Sequence, residues 1–397
     1  MQPTWAWLVG FLVSWQTIFI LRPGILWGRP WPLATIGVQV VDLMLLGFAV
    51  RGARQCWRAH RRTSWGIAGC VMLLAASNSW VSADRALTIV GWLRIAAFLL
   101  AWVGMPREAS WRRGFLGGCM VAIVLHALFG IVQFFTGHAW ASTMLGMAYH
   151  GAAIPGDAVL TNSTERWLRA YGGFPHPNVL GTALVIGMAV WAQWYSHVRR
   201  LVHIGIWWCV FLLMQAALLV TFSRAAWGGY VILTLLLARQ RATRFVAVMT
   251  AVQGVVLVGI FAMLIAPRFR VAGTHELRSL VERGSGIQDA RMLIARAPWW
   301  GVGLHAMPSA VARVRFHDPQ PVHHVPLLLL AEVGMVGALF FGWLLWKGRR
   351  AVRWWPMILV LLPTLAWDHH LWSLPSGLML LFVCVIAWSS SPSSTAT

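Results

Sequence analysis

His323 and His324 stand side by side where a polar stretch meets a long apolar run. Nine residues separate the pair from Gly334, and Gly337 follows three later. An imidazole titrates near neutrality, so His323 can accept a hydroxyl proton at working pH. A capping or helix-interface role fits the same spacing equally well. Glu332 lies deeper on the same predicted helix, as a hydrogen-bond partner within the bundle or as a packing residue. Arg224 closes the segment Thr221-Phe222-Ser223-Arg224, between two apolar runs with no basic loop around it. A charge in that position is costly, and such residues face a cavity or a charged partner. The competing reading is an arginine that snorkels to the headgroups. Its planar fork of donors suits bidentate binding of phosphate oxygens. Arg291 offers a second cation, in a stretch already rich in arginine. His176 sits between two prolines, and Asn178 follows. Pro177 suits a first helical turn, whose free amides can bind an anion; a rigid re-entry turn fits as well. Asp368, His369 and His370 invite a metal reading. Adjacent positions seldom converge on one ion, and no thiolate or carboxylate cluster accompanies them, so no metal or other cofactor is expected.

The elements that must carry these residues are apolar. Of 397 residues, 59% are hydrophobic and 11% are charged. Mean hydropathy is +0.67. Soluble domains are about 45–50% apolar and about 25% charged, so a water-soluble enzyme, a disordered chain and a disulfide scaffold are all excluded. The pattern implies an all-α polytopic membrane protein. Apolar runs at 5–21, 33–50, 66–82, 87–104, 114–136, 178–195, 204–222, 225–238, 246–266, 326–346, 355–367 and 371–389 predict about twelve spans. The first run lacks a basic flank and a cleavage site and reads as a retained span. Five cysteines without paired spacing read as packing residues.

The net charge of +21 would suggest nucleic acid in a soluble protein. Here it falls in short loops, where positive charge sets topology, so no nucleic-acid partner is expected. Arginines follow the even-numbered spans: Arg51, Arg54, Arg58, Arg61 and Arg62; Arg107, Arg112 and Arg113; Arg199 and Arg200; Arg239, Arg241 and Arg244; then Lys347, Arg349, Arg350 and Arg353. Those loops and both termini are predicted to be cytoplasmic. Two long outer loops result, 137–177 and 267–325, and loops of that length usually carry function. The second holds an amphipathic helical pattern from Glu276 to Ala297, suited to the membrane surface. The tail 390–397 reads as disordered, and Asn162-Ser163-Thr164 as a sequon too common to weigh. The candidate residues, with His305 and His317, all fall on the outer face under this topology.

In that order the segments resemble the O-antigen ligase and polymerase superfamily of bacterial envelope glycosyltransferases. His323-His324 with Gly334-Met335-Val336-Gly337 resembles its His-Asn pattern, nine residues and GxxG, with His324 in place of the amide or hydroxyl residue. Gly173-Phe174-Pro175-His176-Pro177-Asn178, Thr221-Phe222-Ser223-Arg224, and Arg291 through Pro298-Trp299-Trp300-Gly301-Val302-Gly303 resemble three more of its segments. The resemblance covers roughly residues 170–375. It implies a GT-C-like fold in the bacterial inner membrane and a metal-independent, inverting transfer on the periplasmic face. The donor would be a glycan on undecaprenyl diphosphate, and the acceptor a glycan or lipid such as lipid A–core. By the same resemblance Arg224 and Arg291 hold the diphosphate and His323 acts at the acceptor hydroxyl. His324, His176, Asn178, Asp368 and His369 would support them. A polymerase of the same superfamily and a lipid-linked glycan transporter, with Asp42 as its buried acid, are the alternatives.

Overall fold

The computed structural model describes residues 3–59, 62–161, 166–194, 201–262, 274–315, 319–349 and 351–389. Arg61, the Asn162-Ser163-Thr164 triplet, Arg199, Arg200, His317, Arg350 and the 390–397 tail lie outside them. The chain is mainly helical. Among the described residues five helices, Arg85–Gly104, Ala109–Thr136, His203–Val220, Arg241–Ile260 and Val325–Gly348, are long and apolar enough to cross a membrane. Gly66–Trp80, Trp355–Trp367 and Pro375–Trp388 are shorter apolar helices. Phe245, Val248, Val252, Val255, Val256 and Ile260 line one helix and are 52% to 73% exposed. A run of bare β-branched and aromatic side chains suits hydrocarbon, where the helix has already satisfied its own backbone.

The first two apolar runs break where a helix was expected. Helix α1 (Pro3–Leu12) stops early, and Ile18–Arg22 forms strand β1, paired antiparallel with β4 (Ile36–Gln39). A second small hairpin joins β2 (Ile25–Leu26) to β3 (Arg29–Pro30). Hydropathy alone does not separate a short β-branched strand from a helix, so 5–21 read as one span. Helix α2 (Val40–Ala59) begins only after β4, where the Asp42 carboxylate accepts the Gln39 amide at 3.0 Å. It then carries Arg51, Arg54 and Arg58 within the helix rather than in a loop.

Next come α3 (Arg62–Trp80), α4 (Arg85–Gly104) and α5 (Ala109–Thr136). In the first long loop, β5 (His138–Ala139) pairs with β6 (His150–Gly151), and β7 (Val159–Thr161) with β8 (Arg166–Leu168). Helix α6 (Pro177–Trp194) is apolar on every face, and Val179, Leu180, Ala183, Leu184, Val185, Ile186 and Met188 are all buried. A helix apolar all round belongs in the centre of a bundle, so Asn178 starts from a rigid base. Around it stand α5, α7 (Leu201–Val220) and α8 (Arg224–Arg239), and α9 (Arg244–Ile260) packs on α7 and α8. The second long loop holds α10 (Thr274–Arg296) and α11 (Met307–Ala312). The chain ends with α12 (Val325–Gly348), α13 (Trp354–Trp367), the single turn α14 (His370–Ser373) and α15 (Pro375–Trp388).

Helix α12 is broken. Gly334 has φ +67°, outside the helical region. The gap is filled by the segment 298–303, which pairs with α12 almost as a strand. Val302 and Gly303 donate to the carbonyls of Ala331 and Glu332, while Met335 and Val336 donate to those of Pro298 and Trp299. From α3, the Asn78 amide donates to the Trp300 and Glu332 carbonyls and accepts from the Trp92 indole and the Leu304 amide, which uses all of its capacity. Thus Gly334 is a breach that admits another backbone. The other end of the bundle is tied separately: Arg112 on α5 donates to the Ser389 and Ala387 carbonyls beyond and within α15.

Two glycines on α12 test this reading. A Cβ at Gly334 meets the Trp299 backbone in a strained φ, whereas one at Gly342 meets open space. Gly334→Ala should lower stability by more than about 2 kcal/mol. Gly342→Ala should leave it unchanged or raise it by up to about 1 kcal/mol. Detergent melts of the two variants check this.

Candidate functional site

The site forms around one carboxylate. Helix α13 ends at Asp368, whose extended backbone turns the chain into α14. The side chain is 4% exposed. Such a group needs donors on every side. Its Oδ1 accepts the His369 amide at 2.7 Å and lies 3.3 Å from His370 Nδ1. His323 Nδ1 is 3.8 Å away, a charge contact longer than a hydrogen bond. On the other side, Asn178 Nδ2 donates to Oδ2 at 2.5 Å. Burial alone would raise the Asp368 carboxyl, but His370 and His323 hold it well below the usual carboxylate range.

Each imidazole has a distinct setting. His370 is buried, with Nε2 3.1 Å from the Thr182 hydroxyl on α6. The Ser373 hydroxyl donates to the His369 carbonyl, so the His369 ring gives its Nδ1 proton to Ser373 Oγ at 2.5 Å. That leaves His369 Nε2 with the lone pair. The His323 and His369 rings meet edge to face, 4.8 Å apart. His323 keeps 25% of its side chain exposed, so substrate can reach it. His324 has the capping role: its backbone is extended, and Nδ1 accepts the Leu327 amide at 3.2 Å. His176 Nδ1 accepts the Asn178 amide at 3.1 Å at the start of α6. His323, Asp368 and His369 could also hold a metal ion, since their ligand atoms lie within 4.8 Å of one another. This set differs from the three adjacent positions weighed in the sequence, because His323 arrives from another helix.

The charge of the same carboxylate acts on two guanidinium groups, Arg169 and Arg283. Arg169, just after β8, is 7% exposed. Its Nε donates to the Thr221 carbonyl and its Nη2 to Asn178 Oδ1, both at 2.7 Å. Burial pushes Arg169 down to about 10; Tyr171 and Asp368 oppose that, while Arg283 and Arg224 add to it. Arg224 is the first residue of α8, capped by Ser223. Arg283 on α10 is half-buried, and burial followed by the charge of Arg224 lowers it, against the pull of Asp368. Arg169 and Arg283 therefore stand in the combined field of Asp368 and Arg224. Arg291 lies about two turns further along α10 and is exposed.

Supporting contacts fix the loops. Gln133 on α5 accepts the Tyr171 and Gly172 amides and donates to the Gly172 carbonyl. His126 accepts the Gly173 amide and packs its ring on Phe174. Buried Glu332 accepts the Trp372 indole at 2.8 Å, which ties α12 to α14. Sequence reasoning missed Arg169, Arg283, Asn78 and Gln133. For Arg169 the signal was its place two residues before Tyr171-Gly172-Gly173; for the others the partners are too distant in sequence to suggest a role.

Residues 209–342 match the family model described as O-Antigen ligase. Over that stretch the chain is similar to the O-antigen ligase family. No curated protein and no solved structure matches the chain. The matched stretch contains Arg224, Arg283, Arg291, His323 and the break of helix α12 at Gly334. Arg169, His176, Asn178, Asp368 and His369 lie outside it and reach the same cluster through the fold.

The site should be acid-sensitive. Burial, then the charge of Arg169, lowers His176 from 6.5 to about 3, and burial, then the charge of His323, does the same to His369. Below pH 6.5 the unfolded chain therefore binds more protons than the folded one, and stability falls with pH. Above 6.5 both forms are neutral and the contribution is constant. Thermal melts should show stability lost progressively from pH 6.5 toward 4, with a shallower slope in His369→Gln.

Proposed function

We propose that this protein is a glycosyltransferase of the O-antigen ligase type. It works at the periplasmic face of the bacterial inner membrane. It moves a glycan from undecaprenyl diphosphate to a hydroxyl of a lipid or glycan acceptor such as lipid A–core. This reading rests on the likeness of residues 209–342 to the O-antigen ligase family and on His323, open to substrate and 3.8 Å from buried Asp368, whose charge also acts on Arg169 and Arg283.

The chemistry is a single displacement. The acceptor oxygen attacks the anomeric carbon as the bond to the diphosphate oxygen breaks on the opposite face, which inverts the configuration. The leaving group departs as the lipid diphosphate. Arg224 is its principal ligand, Arg283 adds charge from α10, and Arg291 supplies an outer contact on the same helix. Fixed positive charge aimed at a developing anion acts most strongly where water is excluded. His323 directs Nδ1 to Asp368 and takes the acceptor proton on Nε2, and the carboxylate steadies the imidazolium that forms. His369 and Asn178 hold Asp368 in place, while His324 caps the helix that follows His323 and His176 accepts the Asn178 amide at the start of α6. The diphosphate is already an activated leaving group, so the step needs no metal.

A polymerase would use the same groups with a second lipid-linked repeat as acceptor. A transporter reading leaned on Asp42. That carboxylate accepts two bonds from Arg94, at 2.9 and 2.8 Å, and so is committed within the bundle.

Reconstituted protein with lipid-diphosphate-linked glycan, acceptor and EDTA should turn over. His323→Ala should lose about 10²–10⁴ in rate. Arg224→Ala should lose about 10²–10³ while remaining folded. Full activity in His323→Ala removes the proposed base. Activity lost to chelator alone, and restored by a divalent ion, replaces the metal-free mechanism with one at the His323, Asp368 and His369 set.

A further inference from the structure

Arg169 sits where the two halves of the site join. One edge of its guanidinium holds the Thr221 carbonyl, in the turn that delivers Arg224. The other edge holds Asn178 Oδ1. That second bond decides how the Asn178 amide faces. With its oxygen taken by a cation, the amide must present Nδ2 to Asp368, and it does so at 2.5 Å. Turned the other way, the amide would set its oxygen against a buried carboxylate and leave Arg169 facing an NH₂ group. Asp368 in turn presents Oδ1 to His323. Three hydrogen bonds lead from the turn of Arg224 through Arg169 and Asn178 to Asp368, and a 3.8 Å charge contact leads on to the His323 ring.

We propose that Arg169 is a positioning residue that ties the Arg224 turn to Asp368 through Asn178, and so sets the spacing between the diphosphate-binding arginine and the proton-accepting histidine. This rests on the function proposed above. Two observations argue against direct diphosphate binding by Arg169. Its side chain is almost wholly buried, and two of its three nitrogens already donate within the protein. A lysine cannot replace it, because a point charge on a flexible stem does not bridge two acceptors at a fixed separation.

The test is steady-state transfer by Arg169→Lys, Arg169→Met, Asn178→Ala and the Arg169→Met/Asn178→Ala double variant. Expected is a fall in kcat of about 10²-fold in each, since a misplacement of about 1 Å costs that much. Donor KM stays within about twofold, as expected when only transition-state geometry is lost. Lysine gives no rescue, and the double variant is no worse than Arg169→Met, as members of one chain are not additive. A donor KM raised tenfold with kcat kept makes Arg169 a phosphate ligand and overturns the proposal. Rescue by lysine, or multiplying effects in the double variant, also overturns it. Asn178→Ala guards against misfolding of the arginine variants, because it leaves the Arg169–Thr221 bond in place. Should wild-type protein show no transfer, the proposed function fails first. The positioning claim is then read from the rate at which diethylpyrocarbonate modifies His323. A changed rate in Asn178→Ala supports it, and an unchanged rate overturns it.

Discussion

A carboxylate that is 4% exposed cannot be left to find partners by chance. Removing such a charge from water costs several kcal/mol unless charged groups and donors surround it. Asp368 meets that demand from separate parts of the chain: Asn178 at the start of α6, His323 just before α12, and the amide and imidazole that follow it in the turn. Its burial draws together two helix starts and a helix end, and the three must meet in one place for the fold to close. The same demand gathers the nearby cations. Arg169, Arg224 and Arg283 repel one another, and Asp368 offsets part of that repulsion. An anionic substrate group would offset the rest, which gives a cluster of this kind affinity for a diphosphate before any specific contact is counted.

A second constraint sets the height and angle of His323. Helix α12 is interrupted at Gly334, and the segment 298–303 completes the backbone pairing that the interruption leaves open. Asn78 closes the junction from α3. Glu332 binds Trp372, which brings α14 against α12 and so sets His369 beside His323. The glycines of this region serve backbone approach, and the chemistry depends on them only through the position that they give the imidazole.

Much of the site was legible because its residues carry unusual types at unusual places. Arg224 stood between apolar runs, and His323, Asn178, Asp368 and His369 stood in polar punctuation on one predicted face. What remained hidden were roles defined by contact. Asn78 acts through residues 222 and 254 positions away, and Arg169 through one 52 positions away. Neither spacing leaves a periodic trace. The division of labour between His323 and His324 was equally invisible in the sequence. Only the backbone shows that one caps a helix while the other faces a carboxylate. The early hairpins were lost for a different reason. Ile18–Arg22 is as apolar as a span and exposed along nearly its whole length, so no alternation marks it as a strand.

In the proposed reaction the diphosphate of the donor lies between Arg224 and Arg283, with the His323 imidazole across the anomeric carbon from it. The most direct measurement is a structure of the protein with lipid-diphosphate-linked glycan bound. The account predicts diphosphate oxygens within hydrogen-bond distance of Arg224 and Arg283, and His323 on the opposite side of the first sugar. A diphosphate bound away from both arginines, or a first sugar out of reach of His323, would contradict it.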